Sequence, residues 1–119
     1  MNDQQQPIDH DMEVCIENCT ECHRICLETM EYCLLMGGKH ADAAHILILA
    51  DCAQICQTSA DFMIRGSALH HQICAACAAV CQRCADDCAS VGGDDEQMQE
   101  CAEQCVICEE SCAEMAGHK

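Results

Sequence analysis

The sequence predicts an all-α protein, an antiparallel up-down-up-down four-helix bundle with a cysteine-lined core. Three observations predict it. Pro7 and the stretches GGKH (37–40), RGS (65–67) and VGGDD (91–95) bound four long segments free of Gly and Pro. Those segments are rich in Ala, Glu, Gln, Met and Leu and nearly lack β-branched runs, a composition that favours helix. In all four, the cysteines and the Met, His, Leu, Ser and Thr residues in line with them recur at steps of three or four, the rhythm of one helix face.

After a polar N-terminal tail (1–8), expected to be flexible, the single bundle domain spans 9–119. Helix 1 (9–36) starts at Asp9 as cap. It turns inward Met12, Cys15, Cys19, Cys22, Cys26, Thr29 with Met30 beside it, and Cys33. Helix 2 (42–65), with Asp42 as cap, presents His45, Leu49, Cys52, Cys56, Ser59 and Met63, and so only two thiols. Helix 3 (68–91), with Ser67 as cap, presents His70, Cys74, Cys77, Cys81, Cys84 and Cys88. Helix 4 (95–116) is expected to open with a capping box from Asp94 and Gln97. Its inward positions are Met98, Cys101, Cys105, Cys108, Cys112 and Met115. Each series is the a/d seam of a bundle, and short connections make consecutive helices antiparallel.

A chain with 16 Cys, one Phe, one Tyr and no Trp could be a secreted disulfide scaffold. However, MNDQQQPIDHDMEV has neither the basic start nor the apolar run of an export signal. The apolar stretch AAHILILA is far too short to span a membrane. The expected compartment is therefore the cytosol, where thiols stay reduced. A net charge of −16 excludes nucleic acid and anionic membrane surfaces as partners, since both demand a basic footprint. The same charge solvates the exterior and attracts cations.

Within CIENCTECHRIC (15–26), CTECH matches a c-type haem attachment site. It lies inside an unbroken seam of which Cys15 and Cys26 are equal members, and His23 falls one position off that seam. A haem anchor is rejected. Bridges within a helix fail on geometry, because Cβ atoms three or four residues apart are about 5–6 Å apart, against about 3.8 Å in a disulfide. Di-iron chemistry fails because the seams carry no carboxylate and the nearest motif is one Asp42-x-x-His45. Packing alone does not explain so many thiols, which fill a bundle core poorly beside Leu or Ile.

Soft-metal binding by thiolates remains. Tetrahedral zinc uses four thiolates, so about four ions would bring about eight positive charges against sixteen negative ones. A monovalent ion at about one per thiolate cancels the core charge. Cu(I) is soft, monovalent and tolerant of low coordination numbers. Each Cys-x-x-x-Cys pair can span one such ion: 15/19, 22/26, 52/56, 77/81, 84/88, 101/105 and 108/112. The expected cargo is multiple Cu(I) ions per subunit.

Four cysteine-seamed helices, Cys-x-x-x-Cys pairs along them, and Met and His at the seam ends resemble the bacterial copper storage proteins. The likeness runs from about Met12 to Met115 and is closest to the cytosolic branch. It implies storage of many Cu(I) ions in a homotetramer, with all sixteen seam cysteines as ligands. Ile48, Ile55 and Phe62, spaced by seven, and Ile46 with Ala53 on the other side make helix 2 apolar all round, in keeping with a buried partner face or ordinary core flanking.

Two other functions compete. A general thiol sink for zinc or cadmium uses the same residues. A dithiol redox protein would need an exposed, low-pKa Cys-x-x-Cys at a helix start, whereas all thiols here lie mid-seam. No enzymatic activity is expected. The antiparallel order gathers Met12, Met63, His70 and Met115 at one end, with His71 adjacent and His10 and His118 in the tails. Cys33, His45, Cys88 and Met98 gather at the other, beneath two loops. Thioether and imidazole donors hold Cu(I) more weakly than thiolates, so the first end is the expected mouth.

Overall fold

The computed structural model describes residues 8–117. Four helices follow one another: α1 (His10–Met36), α2 (Ala43–Ile64), α3 (His70–Gly92) and α4 (Glu96–Ala116), with a short 3-10 turn, Gly38–Ala41, between the first two. α1 packs on α2 and α4, and α3 packs on the same two, while the backbones of the diagonal pairs stay apart. This is the four-cornered, up-down-up-down arrangement that the short connections require. Of the tail assigned to 1–8, residues 1–7 lie outside the described residues, as does His118.

The helix ends show where local signals sufficed. Asp9 caps α1, accepting from the Met12 N–H at 2.9 Å. Gly37 stops it with φ of 73°, donating its N–H to the Cys33 carbonyl at 3.1 Å. Asp42 precedes α2 as expected, but its side chain makes no capping bond. Two expected caps are corrected. α3 starts later than 68, and Ser67 instead turns its hydroxyl to the Leu69 N–H at 3.1 Å, holding the approach to the helix. α4 is capped by Asp95, not Asp94. Asp95 accepts from the Met98 N–H at 3.2 Å and from the Tyr32 hydroxyl. Gln97 donates across the bundle to Thr29 at 2.9 Å instead of closing a capping box.

Tyr32, His40 and Asp95 fasten one end of the molecule. The His40 imidazole packs edge-on against Tyr32, and its Nε2 lies 3.5 Å from Asp95. The end of α1, the 3-10 turn and the start of α4 therefore meet in one polar knot, here called the loop end. The opposite, terminal end holds the start of α1, the α2–α3 turn and the end of α4.

Every cysteine is fully buried, at 0% exposure. Ala53 and Ala60 of α2 and Ala85 of α3 lie beside the thiols, small enough to let the helices close. Ile46, Ile48 and Ile55 are half-buried against the core edge. Leu34, Leu35, Met36 and Leu47 remain exposed near the loop end.

Candidate metal centre

The seams close on one another to form a continuous column of sulfur. Near the terminal end, Cys112 Sγ lies 3.7 Å from Cys15 and 3.4 Å from Cys19, and Cys19 lies 3.6 Å from Cys108. Midway, Cys56 touches Cys77 at 3.7 Å, Cys81 at 3.6 Å and Cys108 at 3.8 Å. Cys52 continues to Cys81 at 3.7 Å and Cys22 at 3.9 Å, and Cys22 to Cys105 at 3.8 Å. Cys26 links Cys105 and Cys101, each at 4.0 Å, and Cys101 reaches Cys88 at 3.8 Å. All sixteen are free thiols.

These separations suit metal, not disulfide. A metal–sulfur bond of about 2.3 Å puts the sulfurs of a three-coordinate centre about 4.0 Å apart and those of a tetrahedral one about 3.8 Å apart. A disulfide would bring them to about 2.0 Å. Five four-sulfur groups lie with all ligand atoms within 4.8 Å of one another, and neighbouring groups share members. Cys22 and Cys52, for example, belong both to the group with Cys56 and Cys81 and to the group with Cys26 and Cys105. Sharing of thiolates between adjacent ions is thus built into the column.

Burial favours the protonated form of the thiol at the loop end of the column. Burial pushes the Cys33 thiol up from 9.0 to about 11, with Cys101, Asp95 and Asp87 adding to the effect. Inside, the hydrogen bond to Cys112 raises Cys15, whereas the bonds that Cys19 accepts from Cys108 and Cys112 lower it. Burial raises both. A soft monovalent cation that replaces these protons keeps the dry interior neutral.

Both ends carry other donors. At the terminal end Met12, Met63 and Met115 are buried with His70. His70 donates its Nδ1–H to the Ser67 carbonyl at 3.0 Å, leaving Nε2 as a bare acceptor that is buried and unpartnered. His71 packs edge-on beside it. At the loop end His45 is 1% exposed, gives its Nδ1–H to the Asp87 carboxylate, and aims Nε2 at the Cys33 sulfur, 3.3 Å away. Met98 Sδ lies 3.4 Å from the same sulfur.

The structure thus gathers all the seam residues inside. His23, the histidine of CTECH, is half-buried on the flank and spends Nδ1 on the Ala53 carbonyl at 2.7 Å. The seam hydroxyls also fit the interior: Ser59 Oγ meets Cys74 Sγ at 3.3 Å. Asp87 is the residue that sequence reasoning missed. It is one acid among many on an acidic surface, and its only signal is adjacency to Cys88.

A family model described as copper storage protein matches residues 8–117. The chain belongs to the copper storage protein family. Among solved structures, a protein from Nitrosospira multiformis is 40% identical over 91% of this chain and 96% of its own, with a TM-score of 0.85. The Cu(I)-bound copper storage protein BsCsp3 is 32% identical, covering 91% of this chain and all of its own at a TM-score of 0.84. A cytosolic copper storage protein from Streptomyces lividans, loaded with five coppers, is 32% identical over 92% of this chain and 94% of its own, at a TM-score of 0.83. Among curated proteins nothing matches. The expectation of a copper storage bundle, made from seam spacing and charge, is borne out at the level of family and fold.

Proposed function

We propose that this protein stores Cu(I), holding many ions per subunit on the thiolates of Cys15, Cys19, Cys22, Cys26, Cys33, Cys52, Cys56, Cys74, Cys77, Cys81, Cys84, Cys88, Cys101, Cys105, Cys108 and Cys112. The observation that carries this reading is the unbroken sulfur column, with cross-helix contacts of 3.4–4.0 Å and no water-exposed thiol. A storage core needs closely spaced, shared, soft ligands shielded from oxidants and from exchange with the bulk. Catalysis would need a substrate pocket at the chemistry, and the thiols are sealed between helices. A dithiol redox role has no support either, since every Cys is fully buried.

Copper passes through the terminal end, where Met12, Met63, His70 and Met115 supply neutral, weaker donors ahead of the thiolates. The bare, buried Nε2 of His70 supports this assignment. The protein works in the cytosol, as does its S. lividans relative, and assembles as a homotetramer, for which exposed Leu35 (82%) and Leu47 (63%) supply apolar surface. The test is metal content after expression in medium supplemented with copper, zinc or cadmium in turn. Copper is expected to dominate at many ions per chain; preferential retention of zinc or cadmium would assign the column to a general thiol sink.

A further inference from the structure

The loop end differs in kind from the rest of the column. Cys33 contacts a nitrogen and a thioether, His45 Nε2 at 3.3 Å and Met98 Sδ at 3.4 Å, where the mid-column thiols contact one another. The adjoining seam positions on α1 and α2 are Thr29 and Leu49, both fully buried and neither a thiolate. They separate this corner from the sulfur on those two helices.

The imidazole here is held as metal-binding histidines are held. Its Nδ1 faces the carboxylate of Asp87, which can only accept, so the proton sits on Nδ1 and the Nε2 lone pair points inward. Asp87 reaches in from α3 with its side chain 32% exposed, while His45, on α2, is 1% exposed. A solvent-facing acid thus orients a buried base across a helix boundary.

We propose that Cys33, His45 and Met98 form a discrete mixed-donor Cu(I) site at the loop end, and that Asp87 is its positioning residue. The proposal rests on the storage reading above. One thiolate and one monovalent ion make this site neutral, and Cu(I) displaces the Cys33 proton to solvent as it binds. With bonds of about 2.0–2.3 Å, a three-coordinate ion needs nitrogen and sulfur about 3.8 Å apart. Cys33 and His45 therefore open by a few tenths of an ångström, which a side-chain adjustment supplies. A thiolate, an imidazole and a thioether bind more weakly than the shared thiolates of the column, so this ion is held less tightly than those of the column.

The experiment follows the His45 ring nitrogens by ¹⁵N NMR in the full-length protein as Cu(I) is added, alongside thiolate-to-copper absorption in the ultraviolet. In the apo protein His45 is expected as the Nδ1–H tautomer, and Cu(I) should shift Nε2 while Nδ1 keeps its proton. In Asp87→Ala the tautomer should no longer be fixed. A chelator should then remove a single copper equivalent about ten- to a hundred-fold faster, the usual effect of losing such a partner. Asp87→Asn keeps an acceptor for Nδ1–H and should stay close to wild type in both readouts. Growth of thiolate absorption to saturation with no shift at His45 would overturn the mixed-donor site and leave storage standing. Absence of thiolate absorption would overturn the storage reading itself. Equal removal rates and the same fixed tautomer in all three proteins would overturn the role of Asp87.

Discussion

The number of ions that the column accepts depends on the metal, and the structure sets both values. A tetrahedral zinc ion that shares no ligand with a neighbour takes four sulfurs. Of the five four-sulfur groups, at most three can be chosen without sharing a cysteine: Cys19 with Cys77, Cys108 and Cys112; Cys22 with Cys52, Cys56 and Cys81; and Cys26 with Cys84, Cys101 and Cys105. Cys15, Cys33, Cys74 and Cys88 belong to none of the groups. Three divalent ions on twelve thiolates would leave about six uncompensated negative charges in a dry core, and a fourth tetrahedral ion would have to share cysteines with the first three. Cu(I) needs only two or three sulfurs and brings one charge per thiolate, so neutrality is reached near one ion per cysteine, about sixteen in all. The perturbation is therefore substitution of Zn(II) for Cu(I) in a titration of reduced apo-protein against a competing chelator, with helicity followed by circular dichroism. The expected plateaus are about three for zinc and several-fold higher for copper. The helical signal should be present before metal is added. A Cu(I) plateau at four or fewer, or an apo chain without helix, would refute the argument from shared thiolates in a preformed bundle.

Replacing Met63, His70 and Met115 together with apolar residues should slow Cu(I) loading and removal while leaving capacity almost unchanged; stopped-flow rates equal to wild type would rule out the terminal mouth. A Cβ on Gly92 would sit 2.2 Å from Met98 Cβ and 2.7 Å from its Cγ. Gly92→Ala should therefore cost about 1–3 kcal/mol in thermal or urea unfolding of the apo protein, as overpacking does, and an unchanged midpoint would show that Met98 moves freely. Because Cys33 is pushed up from 9.0 to about 11 by burial, the unfolded chain releases that proton at lower pH than the folded one. The Cys33 contribution to apo stability should accordingly be full below pH 9 and be lost as pH rises toward 11, so the urea midpoint of wild type relative to Cys33→Ser should fall over this range, and a relative midpoint that rises would contradict the sign.

Most of the helical architecture was legible because its signals are local. The cap at Asp9, the stop at Gly37 and the three- and four-residue cysteine steps depend only on backbone geometry within one segment. The seams were readable for the same reason, and every residue assigned to them is buried apart from Met30, which is half-buried beside Thr29. At the start of α4 the expected cap failed because distant residues intervene. Asp94 and Asp95 are equivalent as local N-cap candidates, and Asp95 is the one placed under the Tyr32 hydroxyl, with His40 beside it. Gln97 was matched to a capping box but finds Thr29, a residue of another helix that lies within reach only after folding.

The sequence by itself determined that sixteen thiols share the interior of a helical bundle, and, through their number and charge, that the interior suits a soft monovalent metal. Periodicity places a side chain on a helix face, but it says nothing about the rotation and axial offset of one helix against another. Those are settled by how the four seams interlock, and they decide which sulfurs fall within 4.0 Å of each other, as Cys56 does with partners on α3 and α4. They also decide that Asp87 of α3, unremarkable in its own segment, lies against His45 of α2. Ligand type is a property of the chain, whereas ligand grouping and the support behind each ligand come from packing between helices.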